Sequence, residues 1–324
     1  MKHYSRYHTE ILEKLKASLA GNKSSKYPDL KKYIGTSYNF IGLSVPSQRK
    51  VFTDGYSFSH LQATEQMLVW DEIWRHSSWY EAMTQALYFV KKIRHDTAPE
   101  TMWEITRHWV TKVDNWAHSD DLSDMYAFLL EKDPGKVFAQ LQAWNTSVNP
   151  WERRQSVVGL LEYSKKRVKI LPVSKLLGMV APLLNDNHYF VQKGVGWTLR
   201  EIGNVYPEKT IQFLESHHMD LSPVAFTAAI EKLDPDTKER LKQWRRKTPE
   251  ARKRPAKATR SAAKSSPASD KALKSRNSKK PTTWKPLSNS PEPPLSTSSK
   301  KKNLTDPPAP SKARKSPGKK TTGN

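Results

Sequence analysis

Several kinds of site are absent from this 324-residue sequence. It contains no cysteine, which excludes a disulfide framework and a thiolate-bound metal. Its ten histidines show no metal-ligand spacing, and it has no HExxH motif, no P-loop and no dinucleotide-binding fingerprint. No apolar run approaches the length of a signal peptide or a membrane-spanning helix. We therefore expect a soluble intracellular protein that uses neither a metal nor a nucleotide cofactor.

The net charge of +23 is concentrated near the carboxyl terminus. Residues 245–324 hold 23 Lys and Arg against 4 Asp and Glu, whereas residues 1–244 hold 32 against 28. The same terminal segment contains 12 of the 22 prolines and one aromatic residue, Trp284. Such a segment buries too little apolar surface to offset its conformational entropy. We predict a folded domain over residues 1–246 and a disordered, DNA-coating basic tail over 247–324.

Apolar residues recur with helical spacing along the whole predicted domain, and no segment alternates with the period of two that is typical of a strand. The predicted helices cover residues 7–19, 27–35, a segment that starts near Pro46, 61–74, 80–90, 102–113, 116–130, 137–144, 151–163, 173–184, 189–202, 210–214 and 224–233. Short breaks rich in Asn, Asp, Pro and Gly separate them, as in stacked antiparallel pairs. The fold class is therefore predicted as all-α, a curved helical-repeat solenoid with a concave face that could hold a DNA duplex.

Three segments carry side chains that suit one site. Trp116 and Asp120 are four residues apart, which places an indole and a carboxylate on one helical face. Arg154 lies in a second segment and Trp197 in a third. An acid, aromatic faces and a guanidinium suit a site that stabilises positive charge on a nucleic acid.

Together these segments resemble the AlkD-like DNA alkylation-repair glycosylases, a family built from HEAT-like helical repeats. The matching residues, in the family's order, are Phe40-Ile41-Gly42 with Pro46 and Arg49, Asn115-Trp116 with Asp120, Trp151 with Arg154, and Gln192-Lys193 with Gly196-Trp197 and Leu199-Arg200-Glu201. The resemblance covers residues 34–233 and does not extend to the basic tail.

The resemblance implies a monofunctional glycosylase that removes positively charged N3- and N7-alkylated purines from duplex DNA. Asp120 would face the deoxyribose of the lesion, Trp116 and Trp197 would flank that sugar, and Arg154 would approach a neighbouring phosphate. The residues expected to contact DNA are Arg154, Tyr33, Trp151, Lys193 and Arg49. We expect a monomer without a cofactor, located in the cytoplasm at the nucleoid, or in the nucleus of a eukaryote.

This chemistry explains why a single carboxylate matters. An alkylated purine already carries positive charge and leaves readily, so bond cleavage moves that charge onto the sugar as an oxocarbenium ion. A preorganised negative group beside the sugar stabilises the developing cation. Indole faces attract cations too, with about 0.5–2 kcal/mol for each ring.

The sequence departs from the family at Ala117-His118-Ser119 and adds Asp121 beside Asp120. The spacing from Trp116 favours Asp120 as the carboxylate that faces DNA. Each feature also has an ordinary interpretation: tryptophans in the core, His118 as a bystander, and glycines at 194 and 196 that permit close helix packing. Two other functions stay open: a non-catalytic protein that binds bent or branched DNA, and a helical scaffold that binds peptides.

Deleting the residues after Arg246 tests the predicted role of the tail. The truncated chain should keep its activity at low salt but bind duplex DNA more weakly, because fewer cations contact phosphates. A salt series of DNA affinity measures this: the plot of log K against log salt should be shallower for the truncated chain. Identical slopes would contradict the role.

Overall fold

The structure is a computed structural model, and it describes residues 2–20, 30–161 and 171–247. The predicted tail lies outside the described residues apart from Lys247, so its disorder and the boundary at residue 246 stay predictions. No helix of the described part is long and apolar enough to cross a membrane.

Helices make up the described part of the chain, which contains no strand beyond an isolated bridge between Asn39 and Trp79. The α-helices are α1 (Lys2–Ala20), α2 (Leu30–Ile34), α3 (Val45–Asp54), α4 (Ala63–His76), α5 (Tyr80–Ile93), α6 (Pro99–Thr106), α7 (Trp116–Lys132), α8 (Pro134–Trp144), α9 (Pro150–Val158), α10 (Val173–Val180), α11 (Tyr189–Gly203), α12 (Pro207–His217), α13 (Pro223–Ala229) and α14 (Pro235–Lys247). Short 3-10 helices follow α6 at Trp109–Lys112 and α10 at Ala181–Leu183. The all-α prediction is confirmed.

Helices α5, α7, α9, α11 and α13 form one layer, in which each packs against the next. Contacts near the beginnings of α5, α7, α9 and α11, together with a later contact of Lys91 in α5 with Asp124 in α7, show that these four helices run in the same direction. Tyr80 at the start of α5 stacks on His118 near the start of α7, with ring centroids 4.4 Å apart. Arg154 in α9 donates to the carbonyl of Phe190 in α11. The beginnings of these four helices therefore lie along one side of the layer, here called the N-terminal edge.

A buried tryptophan pair lies beneath the start of α7. Trp74 and Trp109 are stacked with centroids 4.8 Å apart, and both are fully buried. Each indole N–H has a partner, because Trp74 donates to the carbonyl of Trp109 and Trp109 donates to Asp71. Buried indoles need such partners. The pair packs against His118 and so supports the first turn of α7 from below.

The prediction of a continuous helix over residues 102–113 was wrong. The helix ends at Thr106, and a 3-10 turn carries Trp109 and Val110 into the core. The stacking of Trp109 on Trp74 provides a physical reason, because tertiary packing outweighs a weak helical pattern. The helix predicted over residues 151–163 ends at Val158, and residues 162–170 lie outside the described part. The last helix, α14, was not predicted.

Close packing of α11 on α13 depends on one glycine. A Cβ added at Gly196 would lie 2.5 Å from the carbonyl oxygen of Ala225 and 2.7 Å from the Cβ of Ala228. Backbone atoms cannot yield as a flexible side chain can, so only glycine fits this position. The expectation that Gly196 serves helix packing is consistent with this geometry.

We predict that Gly196→Ala lowers the free energy of unfolding by about 1–3 kcal/mol, because it overpacks this contact. Gly178→Ala is the matched control, since Gly178 lies in a helix with no atom within 4 Å of an added Cβ. There alanine should stabilise the chain by about 0.5–1 kcal/mol through helix propensity. Urea denaturation of both variants measures the difference, and equal effects would contradict the packing argument.

Candidate active site

Helix α7 carries the indole of Trp116 and the carboxylate of Asp120 on one face. Asn115 caps the helix through a hydrogen bond from the backbone N–H of His118, 2.9 Å long. Trp116 is the first helical residue, and Asp120 follows one turn later on the same face. The Trp116 ring meets Tyr33 edge-on at 5.5 Å, and its N–H donates to the Tyr33 carbonyl.

Asp114, just before this cap, ties the segment after α2 to α7. Its carboxylate accepts hydrogen bonds from the Thr36 hydroxyl at 2.8 Å and from both the backbone N–H and the hydroxyl of Ser37. The Asn115 amide also donates to it. Hydrogen bonds to an ionised acceptor are the strong ones. This clamp holds the segment that presents Tyr33 to Trp116.

Asp120 forms an ion pair with Arg154 from α9. The Nη2 of Arg154 lies 2.6 Å from Oδ1 of Asp120. Their side chains differ in exposure: that of Asp120 is 33% exposed and that of Arg154 is 4% exposed. No described residue donates a hydrogen bond to Oδ2 of Asp120. The pair therefore presents one carboxylate oxygen outward while its cation stays inside.

The rest of the Arg154 guanidinium is occupied by neutral acceptors. Its Nε donates to the Ser119 hydroxyl at 3.0 Å, and its Nη1 donates to the Phe190 carbonyl at 2.6 Å. Acceptors from α7 and α11 thus bind three different nitrogens and fix the plane of the group. In this structure Arg154 is held in place between α7 and α11.

Helix α11 packs against Arg154 with a face that carries a glycine and two aromatic rings. A Cβ added at Gly194 would lie 3.3 Å from both Cγ and Nη1 of Arg154. Phe190, Gly194 and Trp197 are spaced four and three residues apart, so they share one face of the helix. Trp197 is half-buried on that face. At the other end, the Phe190 ring lies 3.5 Å from the position of a Cβ at Gly35.

Contacts join Trp116 to Tyr33, Asp120 to Arg154 and Arg154 to Phe190, and the Phe190 ring lies beside Gly35. Sequence positions more than 150 residues apart thus meet at the N-terminal edge. Gly35 has a φ of +79°, which a larger residue adopts only with strain.

The structure distinguishes Asp120 from its neighbour Asp121. The Asp121 carboxylate lies 2.6 Å from Nζ of Lys91 on α5, which also contacts Asp124 at 3.3 Å. Asp121 therefore forms an ion pair with Lys91 of α5, whereas Asp120 forms one with Arg154 of α9. Which of the two carboxylates faces DNA stays a prediction.

Burial raises the pKa of Asp120 above its ordinary value, because its charged form loses hydration between the helices. The Arg154 guanidinium opposes this rise through its charge and its hydrogen bond, Asp121 adds to it, and Lys91 opposes it. The ionisation of Asp120 thus depends on the cation behind it.

Residues 15–233 match the family model for the DNA alkylation repair enzyme. The chain belongs to this family.

Two solved structures are similar to this chain. A structure described as a predicted DNA alkylation repair enzyme from Enterococcus faecalis is similar with a TM-score of 0.53 and 16% identity, over 66% of this chain and 99% of that one. The structure of smu.31 from Streptococcus mutans UA159 is similar with a TM-score of 0.38 and 16% identity, over 72% and 98%. The first likeness shows a shared fold. No curated protein sequence matches the chain.

The residues predicted to bind DNA differ in their exposure. Tyr33 is 54% exposed, and Lys193 and Arg49 are also exposed. Trp151 is buried and stacks on Phe190 at 5.2 Å, so its contacts in this structure are internal. Contacts of all these residues, and of Arg154, with DNA stay predictions.

Sequence reasoning missed several residues that build the site of this family member. Long-range hydrogen bonds, which no local pattern reveals, hold the side chains of Asp114, Ser119, Gln155 and Glu81. Glu81, fully buried in α5, accepts the backbone N–H groups of Ile41 and Gly42. The one signal available was the presence of this acid in a helix that is mostly apolar from Tyr80 to Val90.

His118 is a buried neutral group. It lies between Tyr80 and the tryptophan pair, with Thr84 at 3.0 Å from Nε2 and the Asn115 amide at 3.1 Å from Nδ1. Burial lowers the pKa of His118 to about 4, because the charged imidazolium would lose its hydration there. The prediction that His118 is a bystander agrees with this position.

We predict that His118 makes stability depend on pH. Its folded pKa is about 4 and its ordinary value is about 6.5, so its contribution is present above pH 6.5 and is lost as pH falls towards 4. Between pH 7 and pH 5 the loss should be about 2 kcal/mol.

Urea denaturation at both pH values checks this, with His118→Gln as the comparison. The variant is expected to be less stable at pH 7 because Thr84 and Asn115 lose a partner, so the difference between the two pH values is decisive. A loss as large in the variant as in the wild-type chain would show that another group is responsible.

Proposed function

We propose that this member of a DNA alkylation repair family is a monofunctional DNA glycosylase. It removes positively charged N3- and N7-alkylated purines from duplex DNA, as a monomer and without a cofactor. One observation carries the proposal: the partly exposed carboxylate of Asp120, held through one oxygen by buried Arg154, on the helical face of Trp116. Such an arrangement offers fixed negative potential beside aromatic surface.

The reaction needs little proton transfer from the protein. The bond between the sugar C1′ and the purine nitrogen breaks, and its electron pair goes to the purine, which leaves as a neutral base. The sugar becomes an oxocarbenium ion, to which water adds at C1′ and from which one proton passes to solvent. The outward oxygen of Asp120 stabilises this cation and can accept a hydrogen bond from the attacking water.

The other side chains have supporting roles in this proposal. The indoles of Trp116 and Trp197 flank the sugar and stabilise its positive charge through their faces. Exposed Lys193 and Arg49 bind phosphates, which positions the duplex without reading its sequence. Tyr33, packed edge-on against Trp116, extends the aromatic surface towards the DNA. The predicted concave face of the helical repeats would hold the duplex along the N-terminal edge.

Asp120→Asn tests the proposal. The amide is neutral and similar in size, so the variant should lose about 10²–10³ in the rate of excision, as expected for a displaced electrostatic contact. It should still bind duplex DNA. The measurement is single-turnover release of 7-methylguanine and 3-methyladenine from methylated DNA.

Asp121→Asn is the matched control, because it removes a carboxylate and an ion pair from the next position of the same helix. It should retain most of the excision rate. Circular dichroism confirms that both variants fold. Release by Asp120→Asn at the rate of Asp121→Asn would remove Asp120 from the mechanism, and DNA binding without any release by the wild-type chain would favour a non-catalytic DNA-binding protein.

A further inference from the structure

The hydroxyl of Ser119 binds both Arg154 and Gln155 of α9. It accepts hydrogen bonds from Nε of Arg154 at 3.0 Å and from Nε2 of Gln155 at 3.1 Å. A serine oxygen has two acceptor positions, so both are filled. Gln155 also donates to the backbone carbonyl of Ser119 at 2.6 Å. Because a carbonyl can only accept, this contact fixes which end of the amide faces α7.

Hydrogen bonds thus join two neighbouring residues of α7 to two neighbouring residues of α9. Ser119 and Asp120 are neighbours on one helix, and Arg154 and Gln155 are neighbours on the other. Ser119 and Gln155 are fully buried, and Arg154 is 3% exposed. Water therefore has little access to replace a lost hydrogen bond here, and an unmade bond to a buried charged group is costly.

We propose that Ser119 and Gln155 are positioning residues that hold the Arg154 guanidinium against Oδ1 of Asp120, so that Oδ2 stays directed at the substrate. The proposal rests on the function proposed above, and it assigns a role to a residue at which this sequence departs from the family pattern. Ser119 supplies the acceptor for Nε, and Gln155 keeps the hydroxyl in place.

The charged groups around Asp120 determine the consequence. Arg154 faces it from α9, Lys91 acts on it from α5, and Asp121 adjoins it on α7. Helix α11 contributes the Phe190 carbonyl, a neutral dipole that binds Arg154. If the guanidinium moves away, burial of the carboxylate is no longer offset, and Asp120 holds its proton to higher pH.

The test uses the full chain labelled with ¹³C at the aspartate carboxyl carbon. Asp120→Asn identifies the Asp120 resonance by its loss, and titration then gives its midpoint. Ser119→Ala should move that midpoint to higher pH, and Gln155→Met should move it in the same direction by less. The rate of 7-methylguanine release should fall about tenfold in Ser119→Ala, the effect of one hydrogen bond to a charged group.

Ser123→Ala is the matched control. Ser123 is buried on the same helix, and its hydroxyl donates only to the backbone carbonyl of Asp120 within that helix. It should leave both the midpoint and the rate of release unchanged. Ser119→Thr, which keeps the hydroxyl, should restore both values towards those of the wild-type chain.

The outcomes separate the two proposals. An Asp120 midpoint that is the same in Ser119→Ala as in Ser123→Ala overturns the positioning role, whatever the activity. If the midpoint is shifted in Ser119→Ala while the wild-type chain releases no alkylated purine, the positioning role is supported and the glycosylase is overturned. A slower Ser119→Ala that keeps the wild-type midpoint shows a general structural effect and also contradicts the positioning role.

Discussion

The ion pair between Asp120 and Arg154 is the contact on which the site depends. It joins α7 to α9, and through the Phe190 carbonyl it reaches α11. A buried ion pair is weak evidence for stability, because desolvation of both charges offsets their attraction. The pair matters here for position, because the cation is buried with a hydrogen bond from each of its three nitrogens, and the anion keeps one oxygen towards solvent.

Parallel packing of α7, α9 and α11 explains how such a pair can form. Since their first turns lie along one edge, residues from α7, α9 and α11 meet there although the chain between them is long. Aromatic contacts support the edge from both sides, with Trp74 and Trp109 below α7 and Tyr33 against Trp116. The site is thus a property of the helix stack, and its chemistry comes from a few side chains placed on it.

Sequence patterns predicted the helices well because apolar spacing reports which face of a helix is buried. They also placed Trp116 and Asp120 on one face, since four residues make one turn. They could not show that Arg154 faces inward, because a lone arginine is more often at the surface. The bonds of Ser119 and Gln155 cross between helices, and the split of residues 102–113 follows from the stacking of Trp109, so neither leaves a local signal.

The most direct test of the account is the pH dependence of single-turnover 7-methylguanine release by the wild-type chain, set beside the titration of Asp120. If the ionised carboxylate stabilises the sugar cation, the rate falls on the acid side with the midpoint of that carboxyl, while the chain stays folded. A rate that stays constant while Asp120 takes up its proton would contradict the central claim.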